Sequence, residues 1–275
     1  MKLLHKKDHQ GVEVITVGQH PVSKPKLTVN LFVIDGLLID TGPSRMHQEV
    51  RHELKARPIN QIFVTHHHED HTGNVAKLAE QFNCPAYSSA LCAEMMKAPP
   101  TISFAQHIIW GNRPAYHQLQ AVDHLVTGHH EFQLIDIPGH APDMVALYEP
   151  NKGWLFSADL YVHHYISYFL VSESVTRQIT SLEKVLQLDF ETVFCSHVPP
   201  FKDGREKLTK KLNFLRSFQE QVIEQATKGY SPRKIMKVLD LKERWDIRIL
   251  SHGMLSKLNM VRSVLRDMKT EQYLN

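Results

Sequence analysis

Three cysteines, Cys84, Cys92 and Cys195, are too few and too scattered for a disulfide framework, so the chain reads as one that keeps its thiols reduced. No apolar run reaches the length of a membrane span, and the opening residues MKLLHKKDHQ lack the apolar stretch of a secretory leader. These absences predict a cytoplasmic protein with no membrane partner. Charge of one sign is not in excess either. The 32 Lys and Arg face 29 Asp and Glu, a net charge of +3 that by itself names no polyanionic partner. Internal repeats and low-complexity tracts are also missing. The remainder is 42% hydrophobic and 22% charged, which fits an ordinary soluble globule. With 275 residues there is material for one sizeable α/β domain, or one domain plus a small addition.

Histidine is the residue the chain has in plenty, at 19 copies. Four of them share six consecutive positions with two acids in the stretch THHHEDHTGN, residues 65–74. Imidazole and carboxylate are the ligands that borderline divalent metals prefer. The apolar Ile62, Phe63 and Val64 lead in, and a helical pattern follows, so the cluster is predicted on a loop at the C-terminal end of a buried strand. Alternation along a strand end would turn His66 and His68 the same way. His67 and Glu69 fall out of that register and are expected to point elsewhere.

This stretch resembles the HxHxDH signature of the metallo-β-lactamase superfamily, carried here by His66, His68, Asp70 and His71. Three further matches follow in family order, each after a predicted strand: His140 in Pro138-Gly139-His140, Asp159 after Phe156, and His197 after Phe194. The early Asp-Thr-Gly turn appears as Asp40-Thr41-Gly42. The resemblance is to the hydroxyacylglutathione-hydrolase-like branch. It implies a four-layer αββα sandwich of two mixed β-sheets. It also implies two divalent metal ions: zinc first, though iron or manganese also suit nitrogen and oxygen ligands. His66, His68 and His140 would hold the first ion, Asp70, His71 and His197 the second, and Asp159 would bridge them. The implied activity is hydrolysis by a hydroxide shared between the ions, with Asp70 as the candidate catalytic residue that orients the nucleophile or takes its proton. Asp40 is either a turn residue or a support for a ligand.

Elsewhere the pattern predicts strands at 12–17, 29–35 and 37–40, the last two joined by the hairpin signal Asp35-Gly36. It predicts a loop at 19–26, helices at 44–56 and 73–82, strands across 122–137, a hairpin around 151–153, a helix at 174–188 and a strand at 192–195. Residues 87–120 are the least regular and are the expected substrate-shaping insertion; with the 19–26 loop and the helical tail they are expected to enclose the ligand, beside Trp110 and Tyr116. After Pro199-Pro200, apolar residues recur at helical spacing, as in Leu208, Leu212, Leu215, Phe218 and Val222. The chain is therefore divided into a catalytic domain, 1–202, and a C-terminal helical extension, 203–275. That extension holds 13 Lys and Arg against 7 Asp and Glu between residues 202 and 248, interspersed as on a solvated face, so no nucleic acid is expected.

The substrate is expected to be a small carbonyl compound: an ester, thioester, lactone or lactam. The alternative is a metal-dependent nuclease or phosphodiesterase of the same fold. Nucleolytic branches usually carry extra histidine motifs or a large inserted domain after the fourth motif, and the 38 residues (197 − 159) between Asp159 and His197 are too few for such a domain. Diiron redox members replace the second signature histidine with glutamate, and His68 keeps the hydrolase form.

Overall fold

The computed structural model describes residues 1–23 and 27–272, with side chains to 269. Residues 24–26 of the expected 19–26 loop, Pro25 among them, lie outside the described residues. The first sheet runs in chain order: β1 (Lys2–His9), β2 (Val12–Gln19), β3 (Val29–Ile34), β4 (Leu37–Ile39), β5 (Gln61–Phe63), β6 (Ala86–Ser88) and β7 (Gln120–Ala121). Its first four strands are antiparallel; β4 to β7 are parallel. The second half of the chain supplies β8 (His124–Val126), β9 (Glu131–Asp136), β10 (Val145–Glu149), β11 (Trp154–Phe156), a short β12 (Phe169–Leu170) and β13 (Thr192–Phe194). All but β12 form a second mixed sheet in the order β13–β11–β10–β9–β8.

The two sheets face each other across an aromatic core. Phe32, Ile39 and Phe63 from the first sheet meet Phe132, Leu147, Phe156 and Phe194 from the second. Phe156 and Phe194 are register partners on parallel strands and stack with centroids 4.5 Å apart. Strands covered on both sides need apolar residues at successive positions, and Leu37–Ile39, Trp154–Phe156 and Thr192–Phe194 are buried throughout.

On the outer face of the first sheet lie α1 (His47–Leu54), α3 (Val75–Phe82) and α4 (Ala90–Met95), with Val50, Leu54, Val75, Leu78 and Cys92 in the shared core; the one-turn α2 (Glu69–Thr72) follows β5, and α5 (Phe104–Ile109) follows α4. The second sheet is covered by α6 (Val175–Val185) and α7 (Gly204–Thr227), which bury Ile179, Leu182, Leu208 and Leu215. The fold is thus the expected four-layer αββα sandwich. Beyond α7 come α8 (Pro232–Val238), α9 (Trp245–Leu250), a two-residue β14 (Leu255–Ser256) and α10 (Lys257–Gln272). β14 pairs with β12, so the C-terminal part is sewn to the loop that follows Asp159. Among the described residues, no helix is long and apolar enough to cross a membrane.

The pattern gave no sign of β1. KLLHKKDH is mostly exposed and lacks clean alternation. It is a strand because Gln10 and Gly11, at φ 59° and 86°, make a tight hairpin turn onto β2. Lysines and histidines on that edge discourage further pairing. The Asp35-Gly36 signal, by contrast, forms its hairpin turn, with φ 48° and 78°.

Candidate metal centre

β4, β5, β9, β11 and β13 all end at one rim, because β4 runs parallel to β5, β11 runs parallel to β13, and β9 and β11 both oppose β10. Asp40, the 66–71 stretch, His140, Asp159 and His197 follow those ends. Two residues there hold left-handed backbone, Asp40 at φ 59° and Ala158 at φ 44°. Such geometry costs a non-glycine residue about 1–3 kcal/mol and collects at functional sites.

The 66–71 stretch differs from its sequence reading in detail. β5 stops at Phe63, and residues 65–67 are bends. Strand alternation is therefore not what aligns His66 with His68; the bends bring their rings to 4.6 Å. The rest closes into α2, with His68 at its N-cap, and that turn brings Asp70 and His71 back to the same rim.

All seven predicted residues meet. Three sets each have donor atoms within 4.8 Å of one another: His66, His68 and His140; His66, His71 and Asp159; and Asp70, His71 and His197. His140 Nε2 lies 3.0 Å from His68 Nδ1 and 3.3 Å from Asp159 Oδ2. His197 Nε2 is 3.1 Å from Asp159 Oδ2 and 3.5 Å from Asp70 Oδ2. His71 Nε2 is 3.5 Å from Asp159 Oδ1 and 3.7 Å from Asp70 Oδ2. Asp159 thus touches both the His140 side and the His71–His197 side.

The donors suit metal ions. Bonds of 2.0–2.1 Å in a tetrahedron put donor atoms about 3.3 Å apart, which is the spacing seen here. His66 Nε2, His71 Nε2 and Asp159 Oδ1 are buried without a hydrogen-bond partner. Buried polar atoms are almost always satisfied, so three orphans in one place call for a cation. Protonation follows the same logic. Burial, helped by the neighbouring His71, holds His66 well below its ordinary value, and burial with His140 does the same to His68. Burial also opposes charge on His71 and His197, yet the carboxylates win. Asp70 and Asp159 raise His71, and Asp159 lifts His197 to about 9. The acids make the hollow attractive to positive charge.

The outward-facing ring nitrogens are tied down. His71 Nδ1 sits 2.7 Å from Asp40 Oδ2, and Asp40 also accepts from the Thr65 backbone N–H and hydroxyl at 2.9 and 3.0 Å. His66 Nδ1 is 3.1 Å from Thr65 Oγ1, and His197 Nδ1 donates to the Thr28 carbonyl at 2.6 Å. Asp40 is therefore both a turn residue and the support of His71. His67 turns away to Asp143, 2.7 Å from Nδ1, and Glu69 turns to Gln106. Burial, with Asp70 adding to it, raises Glu69 to about 7. Cys195 is a buried small side chain near the Tyr161 carbonyl.

Sequence reasoning missed Asp143 and Glu173. Glu173 Oε2 lies 3.3 Å from His140 Nδ1, and nothing in its local sequence marks it. Of the three segments expected to shape a pocket, only the tail, among the described residues, lines the cavity beside the cluster. The cavity of about 390 Å³ that touches His140 and Asp159 is walled by loop residues such as Val162, Tyr165, Ile166 and Tyr168, and by Lys211 and Leu255 from beyond residue 203. None of its lining comes from 87–120. Trp110 and Tyr116 are buried, and Tyr116 borders a separate 480 Å³ cavity that holds none of the seven residues. The basic tail is not wholly a solvated face either. Lys211 is 3% exposed, and its Nζ donates to the Leu160 carbonyl at 2.6 Å.

The metallo-beta-lactamase superfamily model matches residues 26–197. Hydroxyacylglutathione hydrolase of Idiomarina loihiensis is 29% identical over 200 residues, 68% of this chain and 70% of that one. The Nitrosomonas eutropha enzyme of the same name is 30% identical over 163 residues, 58% of this chain and 56% of its own length. The chain thus spans little more than half of some curated relatives. A metallo-beta-lactamase family protein from Thermus thermophilus superposes with a TM-score of 0.68 at 15% identity, covering 96% of this chain and 95% of that one, which speaks for the fold alone.

Proposed function

The chain belongs to the metallo-β-lactamase superfamily and is a metal-dependent hydrolase, and from that premise we propose a dinuclear zinc enzyme acting on a small carbonyl substrate, with a thioester or ester first in line. The observation that carries this reading is the seven-residue cluster with Asp159 between its two sides. In this proposal His66, His68 and His140 would hold one ion and Asp70, His71 and His197 the other, with Asp159 available to both. Bound divalent cations supply Lewis-acid polarisation and a water of lowered pKa. The protein's own groups do the rest. The Asp70 carboxylate, which faces His71 and His197, takes the proton that the attacking water gives up. Asp40, Thr65 and Thr28 engage the outward nitrogens of His71, His66 and His197, which leaves the nitrogens facing the hollow as the ones an ion would take.

The cavity beside His140 supports a small, partly apolar substrate, because its wall is largely Val162, Ile166, Leu170, Leu255 and tyrosine. The curated relatives are named as hydrolases of hydroxyacylglutathione, an acyl group carried on a thiol, which supports a thioester as the first candidate for this chain. We also propose the division into a catalytic domain, 1–202, and an extension, 203–275, which supplies the α7 layer over the second sheet and finishes that wall. A panel of ester, thioester, lactone, lactam and phosphodiester substrates with zinc-loaded protein tests the reading. Turnover of one or more carbonyl substrates is expected. Cleavage of phosphodiesters alone would replace it with the nuclease reading.

A further inference from the structure

Of the ring nitrogens that face away from the hollow, that of His140 is held by a residue that the C-terminal extension also grips. Glu173 is 8% exposed, with Oε2 3.3 Å from His140 Nδ1, while His140 Nε2 looks the other way, 3.0 Å from His68 Nδ1. We propose that Glu173 is a positioning residue for His140: its carboxylate sets the direction of the imidazole, and the C-terminal extension sets the place of the carboxylate. The proposal rests on reading His140 as a metal ligand.

The carboxylate is fixed on both oxygens. Oε1 accepts from the Leu170 backbone N–H at 2.8 Å, and Oε2 accepts from Gln178 Nε2 at 2.8 Å. Gln178 in turn presses on the turn before His140. A Cβ on Gly139, whose φ is +141°, would sit 2.6 Å from both the Gln178 backbone N and its Cγ. The backbone of His140 and its ring are thus located by one connected unit. That unit is gripped from the far end of the chain. Arg266 donates to the carbonyls of Glu173 and Val171 at 2.7 and 3.1 Å, and Ser174 Oγ donates to Asp267 at 2.8 Å. Val175 N–H donates to Ser263 Oγ at 2.9 Å, and the Phe169–Leu170 strand pairs with Leu255–Ser256. An imidazole that binds a metal through one nitrogen is oriented by what its other nitrogen meets, and loss of such a partner costs about 10–100-fold in metal affinity.

The test is zinc affinity of the full-length chain, read by competition with a chromophoric chelator, in wild type, Glu173→Ala and Glu173→Gln. The His140 ring N–H signal in a ¹H–¹⁵N spectrum of the zinc-loaded protein is the second readout. In Glu173→Ala we expect one ion to bind about 10–100-fold more weakly. The other ion should be unaffected, and the His140 N–H signal should be shifted or lost. Glu173→Gln keeps an oxygen acceptor and should recover most of the affinity. Wild-type affinity in Glu173→Ala overturns the role of Glu173 alone. So does equal weakening of both ions together with a lowered melting temperature, which marks a merely structural residue. Failure of the wild type to take up zinc overturns the metal reading and this inference with it.

Discussion

Asp40 and His71 form a fully buried pair, with Asp40 Oδ2 2.7 Å from His71 Nδ1 and neither side chain reaching solvent. Asp40 directly follows β4 and His71 lies in α2, so this contact joins the first sheet to the ligand cluster. Removing one partner leaves the other buried and unpaired. Asp40→Ala is expected to cost about 3–5 kcal/mol of stability and about 10–100-fold in zinc affinity. Asp40→Asn can still accept from Thr65 and should fold better than it binds. Urea melts and chelator competition on the two variants check both parts.

Asp159→Ala should abolish most activity and metal uptake, since Asp159 is the residue in contact with both sides of the cluster. His67→Ala should keep both. His67 bonds to Asp143 rather than to the ligands, so its loss costs about 1–3 kcal/mol of stability. Zinc content and kcat/KM measured side by side decide the matter; equal losses would show that the two residues have been wrongly separated.

Leu255 tests the contribution of the extension. It lines the cavity beside His140 and Asp159 without belonging to the cluster. Leu255→Trp should fill space there and raise KM about tenfold with kcat little changed, the signature of lost uniform binding. A fall in kcat at constant KM would contradict the placement of substrate in this cavity.

Lys257 gives a prediction about pH. It is 1% exposed, its ammonium donates to the Ile166 carbonyl and faces the rings of Tyr165, Phe214 and Phe218, and burial lowers it to about 8 from 10.5. Below pH 8 both folded and unfolded chains carry the proton, so the burial penalty is constant. Between pH 8 and 10.5 the unfolded chain still holds the proton that the folded chain has released, and stability rises with pH. Relative to Lys257→Met, the wild type should gain about 1–3 kcal/mol across that window. Urea melts of both proteins at several pH values read this directly; a flat difference would mean that the lysine titrates normally.

Much of this molecule was legible in its sequence because the informative residues sit in local patterns. Apolar triplets such as Leu37–Ile39 announce doubly covered strands, and 65–74 concentrates ligand-type residues in a way a solvated loop has no reason to do. What could not be read depends on partners far away in the chain. Glu173 reaches His140 across a connection, and Asp143 claims His67. Lys211 looks like any basic residue on an amphipathic helix until the Leu160 carbonyl and the cavity wall bury it. β1 was hidden because its existence comes from pairing with β2 and not from its own composition. The tail was expected to help shape a pocket and does line the cavity beside His140; the share of the 162–170 loop, placed by a two-residue ladder with Leu255 and Ser256, has no local signal.

The most direct test of the central claim is anomalous diffraction at the zinc edge from crystals of the zinc-saturated protein. The account predicts two peaks about 3.5–4 Å apart. One should lie among His66, His68 and His140, the other among Asp70, His71 and His197, with Asp159 between them. A single peak, or two that leave Asp70 and His71 without a bond to zinc, would contradict it.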